Sequence, residues 1–129
     1  DDEVIWTICK RSTNQCLGHA GFYHVDFRVR QAEYAILIGD KAAWGKGIGK
    51  RVTEFCLTHG FEQMNLNRIY LSLLATNQRA LGLYRGLGFR QEGLLRQAQY
   101  KDGQYVDVIQ MAVLRQERMK GECEQNGET

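Results

Sequence analysis

The segment "WGKGIGKR", residues 44–51, sets three glycines and three cations in eight positions, after an apolar run and ahead of an amphipathic one. Glycines spaced by two let a backbone come close to a ligand, and the neighbouring lysines and arginine suit an anion. A helix opening here would turn its first, unpartnered N–H groups toward the loop, and its macrodipole would add positive potential. Two nucleotide-binding loops are excluded by position. A Walker A loop requires Gly at 44 ahead of Gly49-Lys50 and Ser or Thr at 51, where Trp44 and Arg51 stand. A dinucleotide fingerprint starting at Gly45 and Gly47 requires a third glycine where Lys50 stands. It also requires an acidic residue about twenty positions on, where Asn65, Leu66 and Asn67 stand.

The other reactive residue types carry weaker signals. Cys9, Cys16, Cys56 and Cys123 form no C-x-x-C pair, and no His/Cys cluster has zinc spacing, so no metal is expected. Cys9 and Cys16 flank a predicted hairpin turn and face each other across its strands in that register. A disulfide there is the alternative to free buried thiols, which are the expectation in a reducing compartment. His59 falls on an apolar helix stripe and His19 and His24 in a strand, so all three are expected outside the chemistry. Asp102 and Asp107 read as turn and edge-strand charges.

These residues need elements to position them. "VIWTICK" (4–10) and "CLGHAGFYHV" (16–25) read as strands around the turn "RSTNQ", and "AEYAILIG" (32–39) as a third, continuous enough for the middle of a sheet. After the glycine loop, Ile48, Val52, Phe55, Cys56, His59 and Gly60 recur at helical spacing, which predicts a helix from Gly47–Gly49 to near Gln63. "RIYLSLLA" (68–75) is a buried strand. A second helix follows the N-capping Asn77, with Ala80, Leu83, Tyr84 and Leu87 on one face, and stops at Gly88. Strands from Phe89 to Tyr100, bent around Gly93, and over 105–114 meet at the D-G turn of "KDGQ". The order is β-β-β-α-β-α-β-β, an α/β (α+β) architecture with a mixed sheet covered by helices. Residues 1–114 form a single domain in this reading, and 115–129 a polar tail.

At 129 residues the chain supports one domain with a real core, and a net charge of +2 is too small to argue for nucleic acid or an acidic membrane surface. No apolar stretch is long enough to span a bilayer, and "DDEVIW" lacks the basic-then-apolar pattern of a secretion signal, so the cytoplasm is the expected location. The chain has no proline, so its turns must rest on Gly, Asn and Asp.

The order of G-K-G-I-G after an apolar strand, then N-x-x-A-x-x-x-Y-x-x-x-G-F, then the D-G hairpin, resembles the GNAT superfamily of acetyl-CoA-dependent N-acetyltransferases. The likeness extends over nearly all of residues 3–114 and is nearest to the ribosomal-protein-alanine (Rim-type) branch. It implies a mixed, mostly antiparallel sheet flanked by helices, with acetyl-CoA as co-substrate. The CoA pyrophosphate would lie on the backbone amides of Gly45, Lys46, Gly47, Ile48, Gly49 and Lys50, with Arg51 adding charge. Trp44 stands at the first loop position, where Gln or Arg is usual. Backbone groups near Leu37 and Ile38 would pair with the pantetheine amides, Asn77 would hydrogen-bond the CoA arm, and Arg79 would approach the adenosine phosphates.

The resemblance also implies direct acetyl transfer from CoA to a primary amine. Tyr84 would be the general acid that protonates the departing thiolate, and Glu33 would take the amine proton or hold the amine. The Ile38 N–H would face the oxyanion. Without the family, Tyr84 reads as a tyrosine packed on a helix face. The first acceptor reading is a protein N-terminus such as a ribosomal protein's. The alternatives are a small amine (polyamine, amino acid or antibiotic) and a non-catalytic CoA-binding module. The chain starts in what matches the family's second strand, so the expectation is either a fragment of a longer protein or a protein that lacks the strand and helices that wall the acceptor site. In the second case an open edge would favour a homodimer or another chain's cover.

Overall fold

The computed structural model describes residues 2–39 and 47–118. The strands are β1 (Val4–Cys9), β2 (Cys16–Asp26), β3 (Gln31–Ile38), β4 (Arg68–Leu74), β5 (Arg90–Lys101) and β6 (Gln104–Leu114). The helices are α1 (Ile48–Thr58), which passes into a π-helical turn at His59–Gln63, and α2 (Gln78–Gly86). The element order is the expected one, and the pairs β1–β2, β2–β3 and β5–β6 are antiparallel. The chain divides into two compact units, residues 1–69 and 70–129. No helix among the described residues is long and apolar enough to cross a membrane.

In the first unit the strand order is β1-β2-β3. Alternation along β1 half-buries Val4, Trp6 and Ile8 and exposes Ile5, Thr7 and Cys9. The Trp6 ring meets Phe55 at 5.5 Å and His59 at 5.0 Å, both edge-on, so this face of the strands packs on α1 and its π-helical end. Phe22 and Leu57 are fully buried and Tyr34 nearly so; full burial of such side chains contributes about 2 kcal/mol each. Gly60 admits this packing, because a Cβ there would stand 2.9 Å from the Phe22 ring. A buried hydrogen bond of 2.9 Å between the Tyr34 and Thr53 hydroxyls joins β3 to α1.

Three expectations for this unit are corrected. β3 is not continuously buried: Ala32 and Tyr34 are inside, but Leu37 is 67% exposed, because alternate residues face away from α1. The helix stripe is centred on Thr53, Cys56, Leu57, Gly60 and Phe61, and Phe55 is 55% exposed at its rim. Of the described cysteines, only Cys56 is a buried thiol. Cys9 and Cys16 are free but exposed, because they end the hairpin beyond the reach of the core. Cys123, Asp40–Lys46 and residues 119–129 lie outside the described residues.

In the second unit the strand order is β4-β6-β5. β5 shifts register between Gln91 and Gly93, the expected bend, and again between Leu95 and Gln99. At the second shift Gln97 has φ 53° and its N–H donates to Asp107 Oδ1 at 2.8 Å. Asp107 thus holds a bulge and is more than an edge charge. Asp102 (φ 53°) and Gly103 (φ 78°) make the hairpin turn, the left-handed pair that an Asp-Gly sequence favours.

Candidate functional site

In the first unit, α1 begins at Gly47, whose φ of 76° and ψ of 8° place it in the left-handed region. Nothing lies within 4 Å of where its Cβ would be, so glycine is needed for backbone conformation and not for space. The Arg51 N–H bonds back to the Gly47 carbonyl at 3.1 Å. The amides of Ile48, Gly49 and Lys50 belong to the turn that has no intrahelical acceptor. No side chain caps this end and no acid stands in its first turn, whereas Lys50 and Arg51 do. Two exposed cations at the positive end of a helix repel the dipole unless an anion lies among them. Trp44, Gly45 and Lys46 lie outside the described residues.

Glu33 lies on the β3 face turned away from α1, opposite Tyr23 of β2. Its Oε1 stands 3.6 Å from His24 Nε2, and its side chain is 32% exposed. His24 reaches it from an irregular stretch of β2, with φ 53° and the register shifting between Tyr23 and Asp26. The sequence carries no signal for this contact, because a bulge that re-aims one side chain leaves little mark in the residue pattern. On the same face, Ile5, His19, Tyr23, Ala35 and Leu37, with Ile36 between the last two, border an open concavity of about 310 Å³. His19 is therefore at the rim of a recess, while His59 packs among aromatic rings as expected. Leu37 and Ile38 pair with His19 and Gly18 of β2, and Ile38 already takes part in hydrogen bonding.

In the second unit, Asn77 Oδ1 accepts from the Ala80 N–H at 3.1 Å, so the expected N-cap is present. That bond engages the side-chain carbonyl and leaves the amide NH₂ as the group able to meet a ligand. Arg79 is exposed in the first turn, with no ion-pair partner among the described residues. Tyr84 is 7% exposed, and Leu81 joins it as the buried centre of the α2 stripe, a position missing from the sequence pattern. The helix ends in a Schellman motif. The Phe89 N–H donates to the Tyr84 carbonyl at 3.0 Å and the Gly88 N–H to the Arg85 carbonyl at 3.1 Å, with Gly88 at φ 100°. The Phe89 ring then lies edge-on to the Tyr84 ring at 5.4 Å. Y-x-x-x-G-F is therefore a device that ends the helix and fixes the phenol. Burial pushes the Tyr84 hydroxyl up to about 12. Such a phenol keeps its proton throughout the neutral range.

Among the described residues no group of three or more His, Cys, Asp or Glu could hold a metal ion. The first unit offers an uncapped helix start flanked by cations and a carboxylate beside an apolar recess; the second offers a buried neutral phenol.

The profile of the acetyltransferase (GNAT) domain family matches residues 1–90. An uncharacterized N-acetyltransferase, p20, of Bacillus licheniformis is 30% identical over 112 residues, which are 87% of this chain and 62% of that protein. The spermidine N(1)-acetyltransferase of Escherichia coli K12 is 36% identical over 84 residues, 65% of this chain and 45% of that protein. This chain thus spans about half to three-fifths of the length of these relatives. Among solved structures, the F149A mutant of the spermidine N-acetyltransferase SpeG from Vibrio cholerae superposes with a TM-score of 0.87 at 26% identity. The match covers 95% of this chain and 71% of that one.

Proposed function

The chain belongs to the GNAT acetyltransferase family, and on that premise we propose that it transfers the acetyl group of acetyl-CoA directly to a primary amine of a small molecule, a polyamine in the first instance. The acceptor class follows the names of the similar spermidine acetyltransferases, which favour a small amine over the protein N-terminus of the first sequence reading. It also suits the face that carries Glu33. A carboxylate beside a recess of Ile5, Ala35 and Leu37 is matched to a cation on a methylene chain.

In this reading the amides of Gly45 to Lys50 hold the CoA pyrophosphate, with Trp44 at the head of the loop and Lys46, Lys50 and Arg51 supplying charge. The backbone at Leu37 and Ile38 meets the pantetheine arm. The Asn77 amide donates to that arm, and Arg79 reaches the adenosine phosphates. Glu33 takes the proton of the attacking ammonium, directly or through water, so that the nitrogen lone pair can attack the thioester carbonyl. The tetrahedral intermediate collapses with cleavage of the C–S bond; the departing thiolate takes the proton of the Tyr84 phenol, and the second proton on nitrogen passes through water to the phenolate as the amide forms. The observation that carries the reading is Tyr84, a buried, uncharged phenol held in place by the helix end at Gly88-Phe89. Its acid form is fully populated at every pH at which the enzyme would work.

The test is Tyr84→Phe with acetyl-CoA and spermidine. We expect kcat to fall about 10²- to 10³-fold, while acetyl-CoA raises the melting temperature of the variant as it does the parent's. Unchanged kcat in the variant removes Tyr84 as the acid. An acceptor panel in which a peptide N-terminus is acetylated and spermidine is not would restore the protein-acceptor reading.

A further inference from the structure

We propose that Cys9 and Cys16 are a modification site, a cross-strand dithiol that low-molecular-weight disulfides such as oxidised glutathione convert to an intramolecular disulfide at the end of the β1–β2 hairpin. Cys9 and Cys16 are direct partners in the register, and both are free and exposed. The ladder sets their spacing. The Lys10 N–H donates to the Gln15 carbonyl at 2.8 Å, which makes Lys10–Gln15 the hydrogen-bonded pair closing the loop. Cys9–Cys16 is then the adjacent non-hydrogen-bonded pair, the type in which opposed Cα atoms are about 4.5 Å apart and side chains lean together. That spacing is within the Cα range of a disulfide, about 4.4–6.8 Å. The register shift between Ile8 and Cys9 loosens the ladder beside the pair and gives the backbone room to adjust.

The present interactions do not oppose closure. The Cys16 thiol donates only a weak contact of 3.9 Å to the Gly18 carbonyl. Lys10 and Arg11 follow Cys9 directly and draw in an anionic disulfide. One cysteine, as its thiolate, attacks a sulfur of the glutathione disulfide, forming a mixed disulfide and releasing one glutathione thiol. The other thiolate attacks the protein sulfur of that mixed disulfide, forming the Cys9–Cys16 bond and releasing the second glutathione thiol. Two protein thiols are oxidised and one disulfide is reduced. Cys56 is a built-in control: it is fully buried, and burial pushes its thiol up to about 11, so its thiolate is scarce and enclosed at neutral pH.

The full chain carrying Cys123→Ser is treated with oxidised glutathione at neutral pH and measured by intact and peptide mass spectrometry. We expect the loss of two hydrogens, a cross-linked peptide pair containing Cys9 and Cys16, an unmodified Cys56, and a melting temperature raised by roughly 5 °C. In Cys9→Ser and Cys16→Ser variants the remaining thiol should instead retain one glutathione as a stable mixed disulfide. A parent that holds two glutathiones without closing, or that stays unmodified while its single-cysteine variants react, overturns the proposal. So does a bridge that includes Cys56.

Discussion

Phe89 is tied to Tyr84 twice: its N–H closes on the Tyr84 carbonyl at 3.0 Å, and its ring meets the phenol edge-on at 5.4 Å. Both contacts depend on Gly88 between them, at φ 100°, where a Cβ would meet only Val113 Cγ2 at 3.8 Å. The constraint on Gly88 is therefore conformational. Gly88→Ala should destabilise the chain by about 1 kcal/mol and should lower kcat through the loosened phenol. Urea unfolding and steady-state kinetics measure the two effects. Unaltered stability would mean that the helix ends without need of a left-handed residue.

The first turn of α1 should respond in opposite directions with and without ligand. Lys50→Glu puts an acid at a helix N-terminus that has none, which should raise the stability of the free protein by about 0.5 kcal/mol. The same change should abolish the rise in melting temperature caused by acetyl-CoA. A variant that keeps the full ligand-induced shift would show that Lys50 does not face the bound anion.

Thr53→Val replaces a buried hydroxyl by a methyl and removes the 2.9 Å bond to the Tyr34 hydroxyl, which keeps its contact with the Cys56 thiol. A loss of about 1 kcal/mol is expected in denaturant unfolding. Tyr34→Phe with Thr53→Val should lose less than the sum of the single changes, because both break the same bond.

Alkaline pH should destabilise the fold in two steps. Burial raises Cys56 from 9.0 to about 11 and Tyr84 from 10.0 to about 12, so above the lower values the unfolded chain has released protons that the folded chain still holds. Stability from each group is complete below its unfolded value and is lost as pH rises through the folded one. The decline should begin near pH 9, steepen above 10, and level off only beyond about 12. Cys56→Ala should lose the decline between pH 9 and 10 while keeping the later one. A variant with the parent's slope from pH 9 would assign that step to another group.

Glu33→Gln tests the carboxylate without changing its size. The expected result is a kcat lowered about 10²-fold or more, with the acetyl-CoA-induced melting shift intact. If both kinetic constants stay within a factor of two, Glu33 has no part in handling the amine.

The local chemistry of this chain could be read from its residues. Asn77 caps α2 because a short carbonyl side chain reaches the third N–H of a helix, and Gly88 ends it because only glycine takes φ 100° without strain. Asp102-Gly103 turns the last hairpin for the same reason, and Gly47 opens α1. These are effects of near neighbours, which sequence spacing records.

What depends on distant residues could not be read. The exposure of Leu37 and Phe55 was set by which side of β3 and of α1 the core lies on, and an apolar side chain does not report its own orientation. The approach of His24 to Glu33 came from irregular pairing in β2, and the exposure of Cys9 and Cys16 from a hairpin that outruns its core. Periodicity and turn chemistry act within a few residues and so were determined by the sequence itself. Facing, burial and the contacts of re-aimed side chains depend on segments brought together from far along the chain, and only the tertiary structure decided them.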